Sequence, residues 1–168
     1  MKLVLRSIDS ADMYNIEIYN MLQSMPKSEN GFENPGFGLS LEEYSHFINK
    51  SLIEISNPDI KKGRVPQTIF WFYEDDKPIG ISKMRHYLNE NLTRLGGHIG
   101  YGIINEKRNK GYGKILLKKT LEEIRIIGVN LVLITCDIDN IRSRKVIESN
   151  NGKLENIIEN ECRYWIEV

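Results

Sequence analysis

The sequence predicts a mixed α/β fold in which one central mixed sheet is flanked by helices. Thr68–Tyr73 is rich in aromatic and β-branched residues, as strands usually are. Leu131–Cys136 is a continuous apolar run, which is typical of a strand buried on both faces. Between them, apolar residues recur every three or four positions over 115–127 and predict one buried helical face. Strands and helices therefore alternate along one chain.

Size and composition limit the class of protein. The chain has 168 residues, enough for a single domain spanning 1–168 with a substantial core. Lys and Arg together number 23, as do Asp and Glu, so net charge gives no reason to expect nucleic acid or a membrane surface as partner. The two cysteines and three histidines are scattered, so we expect no metal site. Cys136 lies in an apolar run and is interpreted as a core residue rather than a nucleophile.

Targeting and membrane signals are missing from the sequence pattern. No run approaches the roughly 18 apolar residues of a membrane span. The apolar part of Met1–Leu5 is too short for a signal peptide. We therefore expect a cytoplasmic protein with reduced thiols.

The N-terminal part predicts a strand, a helix and a loop. Lys2–Arg6 alternates in polarity and is the first strand. Asp9 or Ser10 can cap a helix that runs to about Gln23. A loop rich in Gly, Pro, Asn and Ser follows at Pro26–Gly38. The residues expected to face inward on the helix are Met13, Ile16, Tyr19 and Leu22.

A capping box marks the start of the second helix. Ser40 and Glu43 have the S-x-x-E spacing, and this helix should end before Pro58. Thr68–Tyr73 and Ile79–Tyr87 then pair as a hairpin. A looser segment leads from this hairpin into the central strand.

The C-terminal part predicts a short helix and a closing hairpin after the apolar strand. The helix begins at Asp139 or Asn140 and runs to about Glu148, and Asn150-Asn151-Gly152 ends it. Residues 154–168 form the hairpin. The complete predicted order is β-α-α-β-β-β-α-β-α-β-β.

The central stretch has the features of a phosphate site. The strand Gly97–Ile104 is followed by a polar run and by glycines at 111 and 113 that open a helix. Such a turn aims several backbone N–H groups at one point, where the helix terminus carries about half a positive charge. Arg108, Lys110 and Lys114 add full charges close by. This pattern indicates phosphate binding; the alternative is an ordinary strand-to-helix turn with solvated lysines.

The motif narrows the choice of phosphate ligand. A dinucleotide fingerprint would need glycine at position 116, where Leu116 stands, and a Walker A loop is absent. R-N-K-G-Y-G at 108–113 instead resembles the [Q/R]-x-x-G-x-[G/A] signature of the GCN5-related N-acetyltransferases, the GNAT family. The resemblance implies acetyl-coenzyme A as cofactor, with its pyrophosphate held by Arg108, Asn109, Lys110, Gly111, Tyr112, Gly113 and Lys114.

The element order is also similar to the GNAT order, and the resemblance covers most of the chain. G-G-H-I-G-Y, I-T-C-D-x-D-N-I-x-S and R-Y-W-I resemble a group of bacterial predicted acetyltransferases at matching positions. The family resemblance implies that the central strand splays from Leu131–Cys136 and that the pantetheine arm follows it near Ile103 and Ile104. Asn140 and Ser143 resemble residues that contact this arm; the alternative for Asn140 is helix capping.

The reaction implied by the resemblance is direct attack of an amine on the acetyl thioester. His98 shares a face of the central strand with Gly100 and Gly102, which leave open backbone beside it. Many family members carry a glutamate base at the position of His98, and an imidazole can do the same work. His98 is therefore the candidate general base, and the alternative is a histidine hydrogen-bonded within a strand.

The general acid departs from the family pattern. The tyrosine that usually protonates the departing thiolate is replaced by Ile147, which favours an alternative: a catalytically inactive acyl-CoA-binding module that acts as a sensor or interaction domain. Tyr101, Tyr112 and Tyr164 are not distinguished as replacement acids. A protein that binds another nucleotide through the same turn is a second alternative, opposed by Leu116.

The acceptor is expected to be a small primary amine or a free amino group. Arg85 and His86 flank the site, and Arg85 either clamps a substrate carboxylate or is an ordinary surface residue. Phe32 and Phe37 either form a pocket wall or belong to an ordinary loop. By analogy with the family, the 154–168 hairpin is a candidate homodimer interface.

Overall fold

The computed structural model describes residues 1–29 and 31–168. Within these ranges the chain forms nine strands and five α-helices. In chain order they are β1 (Leu3–Ser7), α1 (Ile16–Ser24), β2 (Ser28–Glu29), β3 (Phe32–Glu33), α2 (Leu41–Glu54), β4 (Gln67–Glu74), β5 (Lys77–Arg85), α3 (Glu90–Arg94), β6 (Ile99–Ile103), α4 (Tyr112–Ile126), β7 (Leu131–Asp137), α5 (Ile141–Glu148), β8 (Lys153–Ile158) and β9 (Glu161–Glu167).

The strands form two main sheets. The first has the order β1-β4-β5-β6 and the second the order β7-β9-β8, while β2 and β3 pair with each other. In residues 1–29 and 31–168, every ladder is antiparallel and none joins β6 to β7. The predicted fold of a sheet flanked by helices is confirmed. The sheet is divided at β6 and β7 rather than continuous, and no parallel pair closes it.

Helices cover both faces of the first sheet. Leu116 of α4 packs with Ile79 and Ile103 on one face. Ile18 of α1 and Ile48 of α2 pack with residues of β4 and β5 on the other. Three other buried residues of α4 pack in the cluster that contains the second sheet, so this helix bridges the two sheets; they are Leu117, Leu121 and Ile124.

The predicted first helix is two separate elements. Asp9 caps a 3₁₀ turn at Ser10–Tyr14, and Asn15 then caps α1, its Oδ1 accepting hydrogen bonds from the N–H groups of Glu17 and Ile18 at 3.1 Å. The helical phase therefore restarts at Asn15. This shifts the buried face, so Ile16, predicted to face inward, is 51% exposed.

Local sequence patterns predicted α2 correctly but did not predict α3. The predicted capping box is present, with Ser40 Oγ accepting from the N–H of Glu43 and the Glu43 carboxylate accepting from the N–H of Ser40. The segment expected to be irregular contains α3, capped by Asn89. Within residues 1–29 and 31–168, no helix is long and apolar enough to cross a membrane.

Candidate functional site

A cavity of about 390 Å³ lies where β6 and β7 separate. Its walls come from β6, the end of β7, the N-terminal turns of α4 and α5, and the β2–β3 hairpin. A volume of this size is within the usual range for small-molecule sites.

β6 and β7 meet just before this cavity opens. The His98 N–H donates to the Leu133 carbonyl at 2.7 Å, and the Leu133 N–H donates to His98 Nδ1 at 2.9 Å. Gly97 has a φ of +59°, and a Cβ there would lie 2.4 Å from the Leu133 carbonyl oxygen. Glycine is therefore required at 97 for the two sheets to approach each other.

The N-terminus of α4 faces the cavity. Its N-cap, Gly111, has a φ of +84°, and in the part of the chain that is described no side chain caps this helix. The other four α-helices are each capped by a side chain: Asn15, Ser40, Asn89 and Asn140. The first N–H groups of α4 have no partner within the helix, and the positive end of its dipole suits an anion.

The charges around the cavity also suit an anion. Arg108, Lys114, Arg142 and Lys145 contribute cationic side chains to its lining. Within the described ranges, Glu29 is the only carboxylate among the lining residues.

Arg108 is held by two partners. Its Nε donates to the carbonyl of Ile103 at 2.9 Å. Its two terminal nitrogens pair with the two carboxylate oxygens of Glu29, at 2.9 Å and 2.7 Å. The hydrogen bonds from Arg108 hold the pKa of Glu29 below its ordinary value.

Most of the residues predicted to bind the cofactor line this cavity. They are Ile103, Arg108, Asn109, Gly111, Gly113, Lys114, Asn140 and Ser143. The others have different surroundings. The Ile104 side chain packs into the core and its N–H donates to the Ile79 carbonyl. Lys110 Nζ donates to the Glu106 carbonyl, and the Tyr112 hydroxyl donates to Glu74.

Tyr101 of β6 reaches across the cavity to α5. Its hydroxyl and Ser143 Oγ are 2.8 Å apart. Ser143 is positioned by Asn140, whose Oδ1 accepts its N–H at 3.0 Å and caps α5. Burial raises the pKa of the Tyr101 phenol, which therefore stays protonated at neutral pH. Ile147, at the usual tyrosine position, is fully buried in the core.

The geometry argues against His98 as general base. Its side chain is 7% exposed and lies outside the part of the lining that the structure describes. Its Nδ1 is occupied by the Leu133 N–H, so the neutral ring carries its proton on Nε2. Burial lowers the pKa of His98 to about 4, which makes it a weak base. The alternative, a histidine hydrogen-bonded in a strand, describes it better.

Arg85 and His86 are also occupied elsewhere. Arg85 donates to the carbonyls of Gly96 and Gly97, at 3.1 Å and 2.7 Å, and so supports the segment before β6. His86 Nε2 is 2.9 Å from the Thr68 hydroxyl. Among the described residues, neither belongs to the cavity lining. The predicted substrate contacts are therefore not supported, because these side chains bind the protein's own polar groups.

The face of β6 beside Gly100 and Gly102 is filled rather than open. A Cβ at Gly102 would lie 2.6 Å from Met25 Cε and 3.2 Å from the Phe32 ring. Because these glycines have no side chains, the Phe32 ring has room to pack against β6. Phe32 lines the cavity, which agrees with the alternative in which it forms a pocket wall. Phe37 is 44% exposed.

Both cysteines are buried in the core. Cys136 is 3% exposed and lies opposite Cys162 across β7 and β9. Burial raises the pKa of Cys136 to about 12, as expected for an unreactive core thiol. Within the described residues, no group of three or more potential ligands is placed to hold a metal ion.

The sequence left several cavity residues without an assigned role. Tyr101 was one of three tyrosines not distinguished as replacement acids, although it lies on the same glycine-punctuated strand as the proposed cofactor site. Glu29 had none, because its partner Arg108 is 79 residues away. Arg142 and Lys145 lie in the predicted short helix, where only Asn140 and Ser143 were assigned a role.

Comparison with known proteins agrees with this geometry. The Acetyltransferase (GNAT) domain family matches residues 2–153. No match was found among curated proteins. The chain resembles several solved structures at low identity, which supports the fold.

Three of these structures illustrate the likeness. A RimL ribosomal L7/L12 alpha-N-protein acetyltransferase in complex with coenzyme A is 15% identical with a TM-score of 0.73, covering 100% of this chain and 95% of that one. The microcin C7 self-immunity acetyltransferase MccE, in complex with acetyl-CoA and AMP, is 18% identical with a TM-score of 0.70, covering 99% and 93%. A dodecameric spermidine N-acetyltransferase from Vibrio cholerae is 17% identical with a TM-score of 0.66, covering 98% and 93%.

The family match extends over nearly the whole chain and includes both the glycine turn and the strands that border the cavity. The chain therefore belongs to the GNAT family of acetyltransferases and is an acetyl-CoA-dependent acyltransferase.

Proposed function

We propose that the protein transfers the acetyl group of acetyl-CoA to a primary amine by direct attack on the thioester. The observation that carries this proposal is the cavity between β6 and β7, bordered by the uncapped N-terminus of α4 and by cationic side chains. That combination suits a phosphorylated cofactor with a narrow arm.

The residues of this chain fit such a cofactor. The first N–H groups of α4, with Arg108, Asn109 and Lys114, are placed to hold a pyrophosphate. Lys110 lies on the surface beside this turn. Ile103, Asn140 and Ser143 line the part of the cavity where the pantetheine arm would lie. When bound, the cofactor supplies an acetyl thioester as the electrophile.

The reaction forms a bond from the amine nitrogen to the acetyl carbon and breaks the bond from that carbon to sulfur. An alkylammonium with a pKa of ~10.4 must first lose a proton, which costs about 4–5 kcal/mol at pH 7. His98 is poorly placed to take that proton, so we assign it to water or to a cavity carboxylate. The phenol of Tyr101, which burial keeps protonated, would donate a hydrogen bond to the sulfur as negative charge develops there.

The class of acceptor is a primary amine or free amino group. Among the structural relatives, one protein is described as acting on spermidine and another on the α-amino group of a ribosomal protein. These relatives leave the acceptor of this chain open between small amines and protein N-termini.

Two further parts of the proposal concern location and assembly. The cytoplasm is the proposed compartment, since Cys136 and Cys162 are free thiols. A homodimer through residues 154–168 is proposed because β8 lies at a sheet edge with Leu154 and Ile157 about half exposed.

The proposed function is tested by calorimetric titration of acetyl-CoA into wild type, Gly111→Ala and Gly111→Asp. The space around Gly111 is open, so alanine adds backbone strain but little else. Aspartate adds a negative charge that competes with the phosphates while favouring the helix terminus. We expect micromolar binding by wild type, a small change in Gly111→Ala and at least a tenfold loss in Gly111→Asp.

The acceptor is then sought by thiol release from acetyl-CoA with spermidine, propylamine, lysine, kanamycin and a peptide with a free N-terminus. Acceleration by at least one amine supports the function. Absence of acetyl-CoA binding by wild type, or binding without acceleration by any of these amines, would contradict it.

A further inference from the structure

Glu29 neutralises a side chain that the cofactor is expected to use. Both of its carboxylate oxygens pair with the terminal nitrogens of Arg108, and the two side chains are 35% and 20% exposed. Partial burial of this pair makes it less screened by solvent than an open surface pair. Glu29 therefore takes one N–H of each terminal nitrogen of Arg108 and offsets its positive charge.

Phosphate and Glu29 compete for the same donors. The third contact of Arg108, from Nε to the Ile103 carbonyl, fixes the guanidinium plane and leaves its outer edge facing Glu29. A pyrophosphate that takes this edge brings negative charge beside the Glu29 carboxylate, and like charges repel. Phosphate and Glu29 therefore compete for the positive charge of Arg108, and binding of one weakens the binding of the other.

The segment that carries Glu29 is anchored independently of Arg108. On β3, Phe32 lies against β6, and its ring is 4.7 Å from the ammonium of Lys83. Lys83 Nζ also donates to the Glu33 carbonyl at 2.7 Å. These contacts keep the hairpin in place when the Glu29 side chain leaves Arg108, so the carboxylate remains at the cavity.

A released Glu29 is suited to a cation. Within residues 1–29 and 31–168, it is the only acid that lines the cavity. An amine acceptor enters as an ammonium ion at neutral pH, and a carboxylate is its natural partner.

We propose that Glu29 binds the ammonium group of the acceptor and is made available for it when the anionic cofactor displaces it from Arg108. This inference rests on the proposed function and adds a specificity residue whose availability is coupled to the cofactor through Arg108.

The first test compares Glu29→Gln with Glu33→Gln, a matched change on the same hairpin. In Glu29→Gln the competitor for Arg108 is weakened, so acetyl-CoA should bind about threefold to tenfold more tightly by calorimetry. The same variant should lose at least tenfold in kcat/KM for the amine that wild type acetylates best. Glu33→Gln should change neither quantity by more than about twofold, because its side chain lies outside the described lining.

These opposite effects on two ligands make the test decisive. Weaker acetyl-CoA binding in Glu29→Gln would overturn the proposal, since Glu29 would then orient Arg108 for the cofactor. Unchanged amine kinetics would overturn it as well. Failure of wild type to bind acetyl-CoA would instead contradict the proposed function, before any variant is compared.

The second test measures the coupling between cofactor and amine binding. The best amine is titrated into wild type alone and into wild type saturated with coenzyme A. We expect at least tenfold tighter amine binding with coenzyme A, and by thermodynamic linkage the amine should tighten coenzyme A equally. In Glu29→Gln this coupling should fall to less than threefold. Equal amine affinity with and without coenzyme A in wild type would overturn the proposed coupling.

Discussion

His98 and Leu133 exchange two hydrogen bonds at the point where the two sheets meet. The backbone of His98 donates to Leu133, and its ring accepts from Leu133 in return. The ring thus satisfies a buried N–H group that β7 cannot pair with β6. Because the cavity opens directly beyond this contact, His98 acts as a positioning residue for the cofactor cleft.

Replacing His98 should affect folding more than chemistry. His98→Leu leaves the Leu133 N–H unsatisfied and should lower the free energy of unfolding by about 1–3 kcal/mol. Asn places an acceptor oxygen close to the position of Nδ1, so His98→Asn should recover about half of this loss. Urea denaturation of both variants measures the difference. Wild-type stability of His98→Asn combined with a turnover loss above tenfold would restore His98 as general base.

Stability should also depend on pH through His98. Burial lowers its folded-state pKa to about 4, from an ordinary 6.5. Between these values the unfolded chain binds more protons than the folded one, so stability rises with pH. The free energy of unfolding should fall by about 2 kcal/mol between pH 7 and pH 5. His98→Asn should show a much smaller slope, with a remainder from His86, whose pKa is also lowered by burial. An unchanged slope would exclude His98 as its source.

Arg85 should behave as a structural residue. Arg85→Met removes two charged hydrogen bonds to the carbonyls of Gly96 and Gly97 and should lower the free energy of unfolding by about 2 kcal/mol. The KM for the acceptor should stay within about threefold of wild type. Arg125→Met, on the exposed side of α4, is the matched control and should change neither. A large rise in acceptor KM at wild-type stability would support substrate binding by Arg85.

Short-range signals in the sequence predicted much of the fold. The capping box at Ser40 and the helix that begins beside Gly111 depend on residues within a few positions, and both are confirmed. The restart of the helix at Asn15 is equally local, but Asp9 offered a competing cap of similar strength. The strand β7 was predicted because a strand buried on both faces has a nearly continuous run of apolar residues.

The site was harder to predict because its groups are brought together by tertiary contacts. Glu29 acquires its role only through Arg108, and Tyr101 only through Ser143, which is 42 residues away. The same limit explains the interpretation of His98. A histidine at this position suggested a general base. The contact of His98 with Leu133, 35 positions away, determines its burial and which ring nitrogen carries the proton.

Tyr101 is the tyrosine that the cavity offers to the leaving group. Of the three tyrosines that the sequence left open, Tyr112 is bound to Glu74 in the core beside β5. Tyr164 donates to Glu148 at 2.8 Å and accepts from Arg144 at 3.1 Å. Neither Tyr112 nor Tyr164 belongs to the described lining of the cavity, so of these three tyrosines we propose Tyr101 as the partner of the departing thiolate.

Tyr101→Phe should therefore lower kcat by about tenfold to a hundredfold while changing the Kd for acetyl-CoA by less than about threefold, because the hydrogen bond to sulfur strengthens only as charge develops. Thiol-release kinetics and calorimetry on the same preparation measure the two quantities. Tyr164→Phe is the control and should lower stability, since it removes a buried hydrogen bond, but leave kcat unchanged. Equal kcat in Tyr101→Phe and wild type would mean that water or backbone N–H groups alone stabilise the departing thiolate.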